Sequence, residues 1–184
     1  MPKKDIKSEI IHILRLHKIG EETAKIISDE IINLIKTEKT ISVRYAEVYI
    51  DGGSRGNPGE GASAFIIYSG EKKYAEGGKY FYETTNNEAE YNALILALRE
   101  CLKYKISDVS IYTDSELLER QIKKIYSVKS PSLSLLYKKA SLLIAKFQNF
   151  SITHIPREKN SEADRLANLI MDTKTDYLKK YNEK

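Results

Sequence analysis

Apolar residues along this 184-residue chain change their spacing once, near residue 43, and the change divides the chain in two. Over residues 3 to 18 they recur at helical intervals, at Ile6, Ile10, Ile13 and Leu14. Over 21 to 37 they do so again, at Ala24, Ile27, Ile31, Leu34 and Ile35. Gly20 between the two stretches reads as a helix stop, so the pattern predicts an αα-hairpin, with TEKTISV from Thr37 as a linker. From Val43 the period becomes two. Val43, Tyr45, Glu47, Tyr49 and Asp51 share one side of a strand, and Arg44, Ala46, Val48 and Ile50 share the other.

GASAFIIYSG and KKYAEGGKYFYET predict two more strands and, with the first, a three-stranded meander. TTNNEAEYNALILALRECLKYK predicts a long helix, with Thr85 as N-cap and Glu88 as its capping-box partner. DVSIYTD follows as a short strand. SELLERQIKKIYS and LSLLYKKASLLIAKF read as helices parted by the breaker KSPS at Pro131. FSITHIP reads as a last strand, and SEADRLANLIMDT as a last helix before a lysine-rich tail. The expected architecture is α/β: a mixed five-stranded sheet flanked by helices over residues 43–184, preceded by a helical hairpin and linker over 1–42.

Composition narrows the chemistry. No apolar run is long enough to span a bilayer, so no membrane partner is expected. The opening MPKKDIKSEIIHILRL interrupts its apolar residues with charges and has no small-residue cleavage site, so it reads as mature protein. Cys101 is the one cysteine, and the histidines are His12, His17 and His154. An intramolecular disulfide and a thiolate zinc site are therefore excluded, a reducing cytoplasmic setting is expected, and any metal must be held by carboxylates. The net charge of +4 says little about partners, but seven basic against two acidic residues lie between Ser115 and Gln148. That stretch is either a solvated helix surface or a face that tracks phosphates.

Four carboxylates fall in unusual places. In YIDGGSRGNPGEGASAFII, residues 49 to 67, Asp51 reads as the end of an apolar strand, followed by more glycines than a turn needs. Asp114 closes DVSIYTD. Ligands gather beyond strand ends in α/β sheets, although aspartate there is also an ordinary turn former. Glu90 shares a helix stripe with Leu94, Ala97 and Cys101, the side expected to press on the sheet, where an acid needs compensation. Asp164 forms a capping-box pattern with Ser161, which would account for it alone. Together the acids suggest oxygen ligands for hard cations such as Mg²⁺. A pair of such ions about 3.5–4 Å apart activates a nucleophile and stabilises a leaving oxygen in phosphodiester cleavage. Spacing alone does not make the four converge.

DGGSRGNPGEG, TTNNEAE, YTDSELL and SEADRLAN, in this order and on these elements, resemble the type 1 branch of ribonuclease H. The likeness runs from near Ala46 to near Met171. It implies a ribonuclease H-like fold whose catalytic, metal-holding acids are Asp51, Glu90, Asp114 and Asp164. It implies two Mg²⁺ ions, with Mn²⁺ as a substitute, and hydrolysis of the RNA strand of an RNA/DNA hybrid to 5′-phosphate and 3′-hydroxyl ends. It further implies that Ser54, Gly56, Asn57, Asn86 and Asn87 contact the minor groove, where RNA displays its 2′-hydroxyls. The glycines would let nucleic-acid backbone come close. Thr85 would touch a DNA phosphate at the helix N-terminus, where it also serves as N-cap. His154, ten residues before Asp164, matches the offset of a mobile catalytic histidine in some members. Its loop reads HIPREKN where those members have glycines, which leaves Arg157 or Glu158 as alternatives.

The chain also departs from the pattern. Glu116 stands where well-known members often have glutamine contacting RNA, and Thr113 to Glu116 is itself a capping-box pattern. The segment from Asp114 to His154 is too short for the extra helix and basic loop of several members, as in the compact bacterial and archaeal branch. The hairpin lacks the aromatic and basic motif of the hybrid-binding domain of some relatives. It reads as a packing cap, a dimerisation element or a nucleic-acid clamp, so the expected state is monomer or dimer. A non-catalytic hybrid or double-stranded RNA binding module, or a nicking enzyme on the same fold, are competing expectations. The presence of all four acids and of TTNNEAE favours the nuclease; cutting of double-stranded RNA is left open.

Overall fold

A computed structural model describes residues 6–38 and 45–181, with side chains at 9–31 and 45–181. The chain forms two compact units, Met1–Ser42 and Val43–Lys184.

In the first unit α1 (Ile6–Leu16) packs with α2 (Glu21–Glu38). Ala24 and Ser28 are buried along α2, whereas Ile13, on the apolar stripe of α1, is half exposed. Gly20 is not the helix stop. Lys18 takes the left-handed conformation (φ 59°), and Ile19 N–H donates to the Leu14 carbonyl at 3.2 Å, which closes α1. The Gly20 carbonyl instead accepts from Ala24 N–H at 2.9 Å, the place of an N-cap for α2. Thr37 and Glu38, expected in the linker, still belong to α2. The rest of the linker, residues 39–43, lies outside the described residues with Arg44, as do the side chains of Ile6, Leu34 and Ile35.

The second unit holds a sheet of six strands in the order β5-β4-β1-β2-β3-β6. These are β1 (Tyr45–Gly56), β2 (Gly59–Ser69), β3 (Lys72–Thr84), β4 (Asp108–Thr113), β5 (Asn149–His154) and β6 (Tyr177–Lys180). β1, β2 and β3 form the expected antiparallel meander, and β4 and β5 run parallel to β1. The helices are α3 (Asn86–Lys103), α4 (Glu116–Ile122), α5 (Pro131–Ile144) and α6 (Ser161–Thr173). α3 packs on β1 and β2 and in turn carries α4 and α5, while α6 packs on β1, β2 and β3. β2 is buried on both sides over Gly61–Ile67, which is why its sequence runs apolar instead of alternating. Ala62, Ala64 and Ile66 meet Ala163, Leu166, Ala167, Ile170 and Met171 of α6 in one core cluster.

The sheet has six strands, not the expected five, because the lysine-rich tail supplies β6. YLKK is short, mostly exposed and without apolar alternation, so its pattern does not announce a strand. Backbone pairing with β3, from Gly78↔Tyr177 to Ala75↔Lys180, makes it one. Tyr177 Oη adds a hydrogen bond to Glu76 at 3.1 Å. α4 is also shorter than expected. Lys124 is left-handed (φ 61°), and Ile125 N–H reaches back to the Arg120 carbonyl at 2.8 Å, ending the helix without a glycine. Among the described residues no helix is long and apolar enough to cross a membrane.

Candidate active site

Asp51 does not end its strand. β1 continues through Gly56, paired with β2 as far as Gly56↔Gly59, and turns at Asn57–Pro58, whose peptide bond is cis. Its other neighbour stops sooner: β4 pairs with β1 only to Ile50↔Thr113. From Asp51 onward one edge of β1 is therefore open, and Asp114 stands just beyond the end of β4.

Gly52 brings the third acid to this gap. A Cβ there would lie 2.3 Å from the Ala89 carbonyl carbon and 2.4 Å from Glu90 N, so only glycine lets the first turn of α3 rest on the strand. Ser63 Oγ, opposite Gly52, holds that turn by donating to the Ala89 carbonyl at 2.6 Å. The glycines were expected to admit nucleic-acid backbone. At Gly52 the space is instead filled by the protein's own helix, and Gly53 is the one with nothing within 4 Å of its missing side chain.

Oxygens of Asp51, Glu90 and Asp114 lie within 4.8 Å of one another. Burial, and then the charges of Asp114 and Asp164, push the Asp51 carboxyl up to about 7. Glu90 is raised well above the ordinary carboxylate range by burial, then by Asp51 and Asp114. Its Oε2 is buried with no hydrogen-bond partner among the described residues. Three close carboxylates, one of which carries an orphaned buried oxygen, fit a hard divalent cation.

Asp164 stands outside that trio but lines the same cleft, of about 480 Å³. The capping box expected for it does not form, because α6 starts at Ser161 with Asn160 at the N-cap position. The Asp164 carboxylate instead accepts from Arg157 Nη2 at 2.6 Å and from Asn168 Nδ2 at 3.3 Å. Arg157 belongs to a short 3-10 turn, Arg157–Lys159, and lines the cleft with the four acids. His154 does not line it: it is exposed at the last pair of β5, opposite Thr113.

The residues expected to meet substrate form one rim. Thr85 caps α3, accepting from Glu88 N–H at 3.3 Å while Thr85 N–H donates to Glu88 Oε2 at 3.1 Å. Asn86 Oδ1 accepts from Ser54 N–H at 2.7 Å, and Asn86 N–H donates to Asn57 Oδ1 at 3.2 Å, which ties the hairpin to α3. Gly56, at φ 123°, makes the sharp bend beside them, and Asn87 lines the cleft. The capping box expected at Thr113 and Glu116 is absent; Ser115 is the N-cap of α4, and Glu116 accepts from Arg120 Nε at 2.7 Å. Sequence reasoning missed Asn160, which is buried and hydrogen-bonded to Asp114; its pattern resembles any asparagine ahead of a helix.

Comparison with known proteins points the same way. Residues 49–170 match the family model described as reverse transcriptase-like. A ribonuclease HI of Halobacterium salinarum is 41% identical over 125 residues, covering 67% of this chain and 63% of the relative. A ribonuclease H of Desulforamulus reducens is 30% identical over 149 residues, covering 72% of this chain and 91% of the relative. The crystal structure of LC11-RNase H1 in complex with an RNA/DNA hybrid superposes with a TM-score of 0.67 at 37% identity, covering 70% of this chain and 98% of that one. The matched region thus spans less than two thirds of the Halobacterium relative's length, and about a third (34%) of a bifunctional mycobacterial relative.

Proposed function

The chain belongs to the ribonuclease H family, and from that premise we propose that it is a divalent-metal-dependent endonuclease hydrolysing the RNA strand of RNA/DNA hybrids. The observation that carries this reading is the convergence of Asp51, Glu90 and Asp114 within 4.8 Å, in a cleft shared with Asp164.

The four carboxylates would hold two Mg²⁺ ions, or Mn²⁺ in their place. Such a pair, when bound, supplies an activated water and stabilises the leaving oxygen, giving 5′-phosphate and 3′-hydroxyl ends. Burial and the neighbouring acids push the Asp51 and Glu90 carboxyls upward, and both would bind a cation in their ionised forms. Arg157 presents a permanent positive charge to a phosphate entering the cleft. Ser54, Gly56, Asn57, Asn86 and Asn87 form a rim of small polar groups suited to 2′-hydroxyls, with Thr85 near a DNA phosphate. In place of His154 as a proton carrier we read Arg157, which reaches Asp164 directly, as a fixed charge of the site.

The test is cleavage of an end-labelled RNA/DNA hybrid with Mg²⁺, beside the same RNA single-stranded, in an RNA duplex and with DNA substituted. Hybrid cutting is expected, and Asp114→Asn should abolish it, by a factor of about 10³ or more, while hybrid binding and fold persist. Tight hybrid binding without cutting under Mg²⁺ or Mn²⁺ would make the protein a binding module instead.

A further inference from the structure

Asn160 precedes α6 at the N-cap position, with φ −106° and ψ 11°, and its carbonyl accepts from Asp164 N–H at 3.1 Å. An asparagine there ordinarily turns its side-chain oxygen onto the N–H groups of the first turn. This one makes no such bond. Its side-chain nitrogen instead donates to the Ile50 carbonyl at 2.9 Å and to Asp114 Oδ1 at 2.8 Å. Both partners are acceptors, so only the NH₂ end of the amide suits them. The residue is 1% exposed, and its Oδ1 is buried without a partner among the described residues. A forgone cap and an unsatisfied buried oxygen both weigh against stability. A position that breaks two local rules at once is the kind found at functional sites.

The two bonds have a specific geometry. Ile50 immediately precedes Asp51 and belongs to the last pair that β1 makes with β4. Asp114 is the first residue past β4, and Asp164 lies in the first turn of the helix that Asn160 opens. One amide therefore ties together β1 where its pairing with β4 stops, the end of β4 and the start of α6, the places beside Asp51, Asp114 and Asp164. It also gives Asp114 a neutral donor while Asp51 and Glu90 crowd it within 4.8 Å.

We propose that Asn160 is a positioning residue of this site: it holds the Asp114 carboxylate and the stretch of β1 beside Asp51 at cation-binding separation before any cation arrives. The proposal rests on the nuclease reading of the cleft. Its role is to preorganise ligands from behind, as outer hydrogen-bond partners do at metal sites generally.

The test titrates Mn²⁺ into the metal-free protein by calorimetry and follows single-turnover hybrid cleavage across a Mg²⁺ series, for wild type, Asn160→Ala and Asn160→Asp. Asn160→Asp keeps the shape and loses the donor. Both variants are expected to weaken Mn²⁺ binding about 10- to 100-fold and to raise the Mg²⁺ requirement correspondingly, with KM for the hybrid unchanged because the rim is intact. Variants that melt lower but bind Mn²⁺ and use Mg²⁺ like wild type would reduce Asn160 to scaffold and overturn the proposal. Should neither variant fold, the side-chain amide protons of Asn160 are followed by NMR in wild type. Protected protons that respond to Mg²⁺ support the role, and rapid exchange without response overturns it. A wild type that neither binds Mn²⁺ nor cleaves would overturn the nuclease reading and this proposal together; a wild type that does both, with indistinguishable variants, overturns the positioning role alone.

Discussion

At the residue scale the site is an arrangement of acids whose repulsion the protein offsets only in part, through Arg157 beside Asp164 and the Asn160 amide on Asp114. Asp51 shows the consequence. Its folded carboxyl is pushed up to about 7 from an ordinary 3.8, so between those values the folded state binds more protons than the unfolded one. Stability of the metal-free protein must therefore fall as pH rises through that window and stay reduced above it. Asp51→Asn removes the penalty, and should raise the melting temperature at pH 8 by about 2–4 °C for each kcal/mol relieved, with little change at pH 4. Equal melting temperatures at pH 8 would contradict the assignment. Arg157 and His154 are separable in the same way. Arg157→Ala should slow single-turnover cleavage about 10- to 100-fold, because it removes the cation paired with Asp164 in the cleft, while His154→Ala should stay within about twofold. The opposite order would return the role to the histidine.

At the element scale two features stand out, and the first decides how the acids meet. One is Gly52, where α3 rests directly on β1. Gly52→Ala puts a methyl group 2.3 Å from the Ala89 backbone, which cannot yield without moving the helix. The substitution should cost about 2–4 kcal/mol in chemical denaturation and suppress cleavage by displacing Glu90; a neutral result would mean that α3 is free to shift. The other feature is how the helices stop. Among the described residues the four non-glycine residues with positive φ are all lysines: Lys18, Lys105, Lys124 and Lys174. The first three are followed by Ile19, Ile106 and Ile125, whose N–H groups reach back to Leu14, Cys101 and Arg120. A left-handed lysine carries a backbone cost that glycine would avoid, but it also sets a positive charge at the negative end of the helix.

At the scale of the whole molecule, every residue lining the cleft lies in the unit Val43–Lys184. Residues 43–184 alone should therefore cleave a bound hybrid within about twofold of the full chain's rate. A role for the hairpin as clamp or dimerisation element would appear instead as a raised KM or a halved mass. Unchanged KM and mass would leave it a packing element, and a lost rate would show that the second unit is incomplete alone.

The sequence by itself determined most of the elements and pointed to the candidate acids. Alternation marked β1, the capping box of Thr85 and Glu88 formed as read, and Asp51, Glu90 and Asp114 drew attention by position, whereas Asp164 had its own capping-box reading and joined them through the family resemblance. These are local properties, set by period and by cap chemistry. Gly20 was read as a stop because left-handed helix ends usually carry glycine, and the lysines that do this work here give no such signal. β6 was illegible because its strand character comes from β3 and not from its own four residues. Only the tertiary structure decided that β4 ends one residue short of Asp51, that α3 lies on Gly52, and that the Ser161 to Asp164 box stays unformed so that Asp164 turns to Arg157. Convergence of side chains far apart in sequence depends on strand order and on contact between elements, and neither is written in the spacing of residues along one of them.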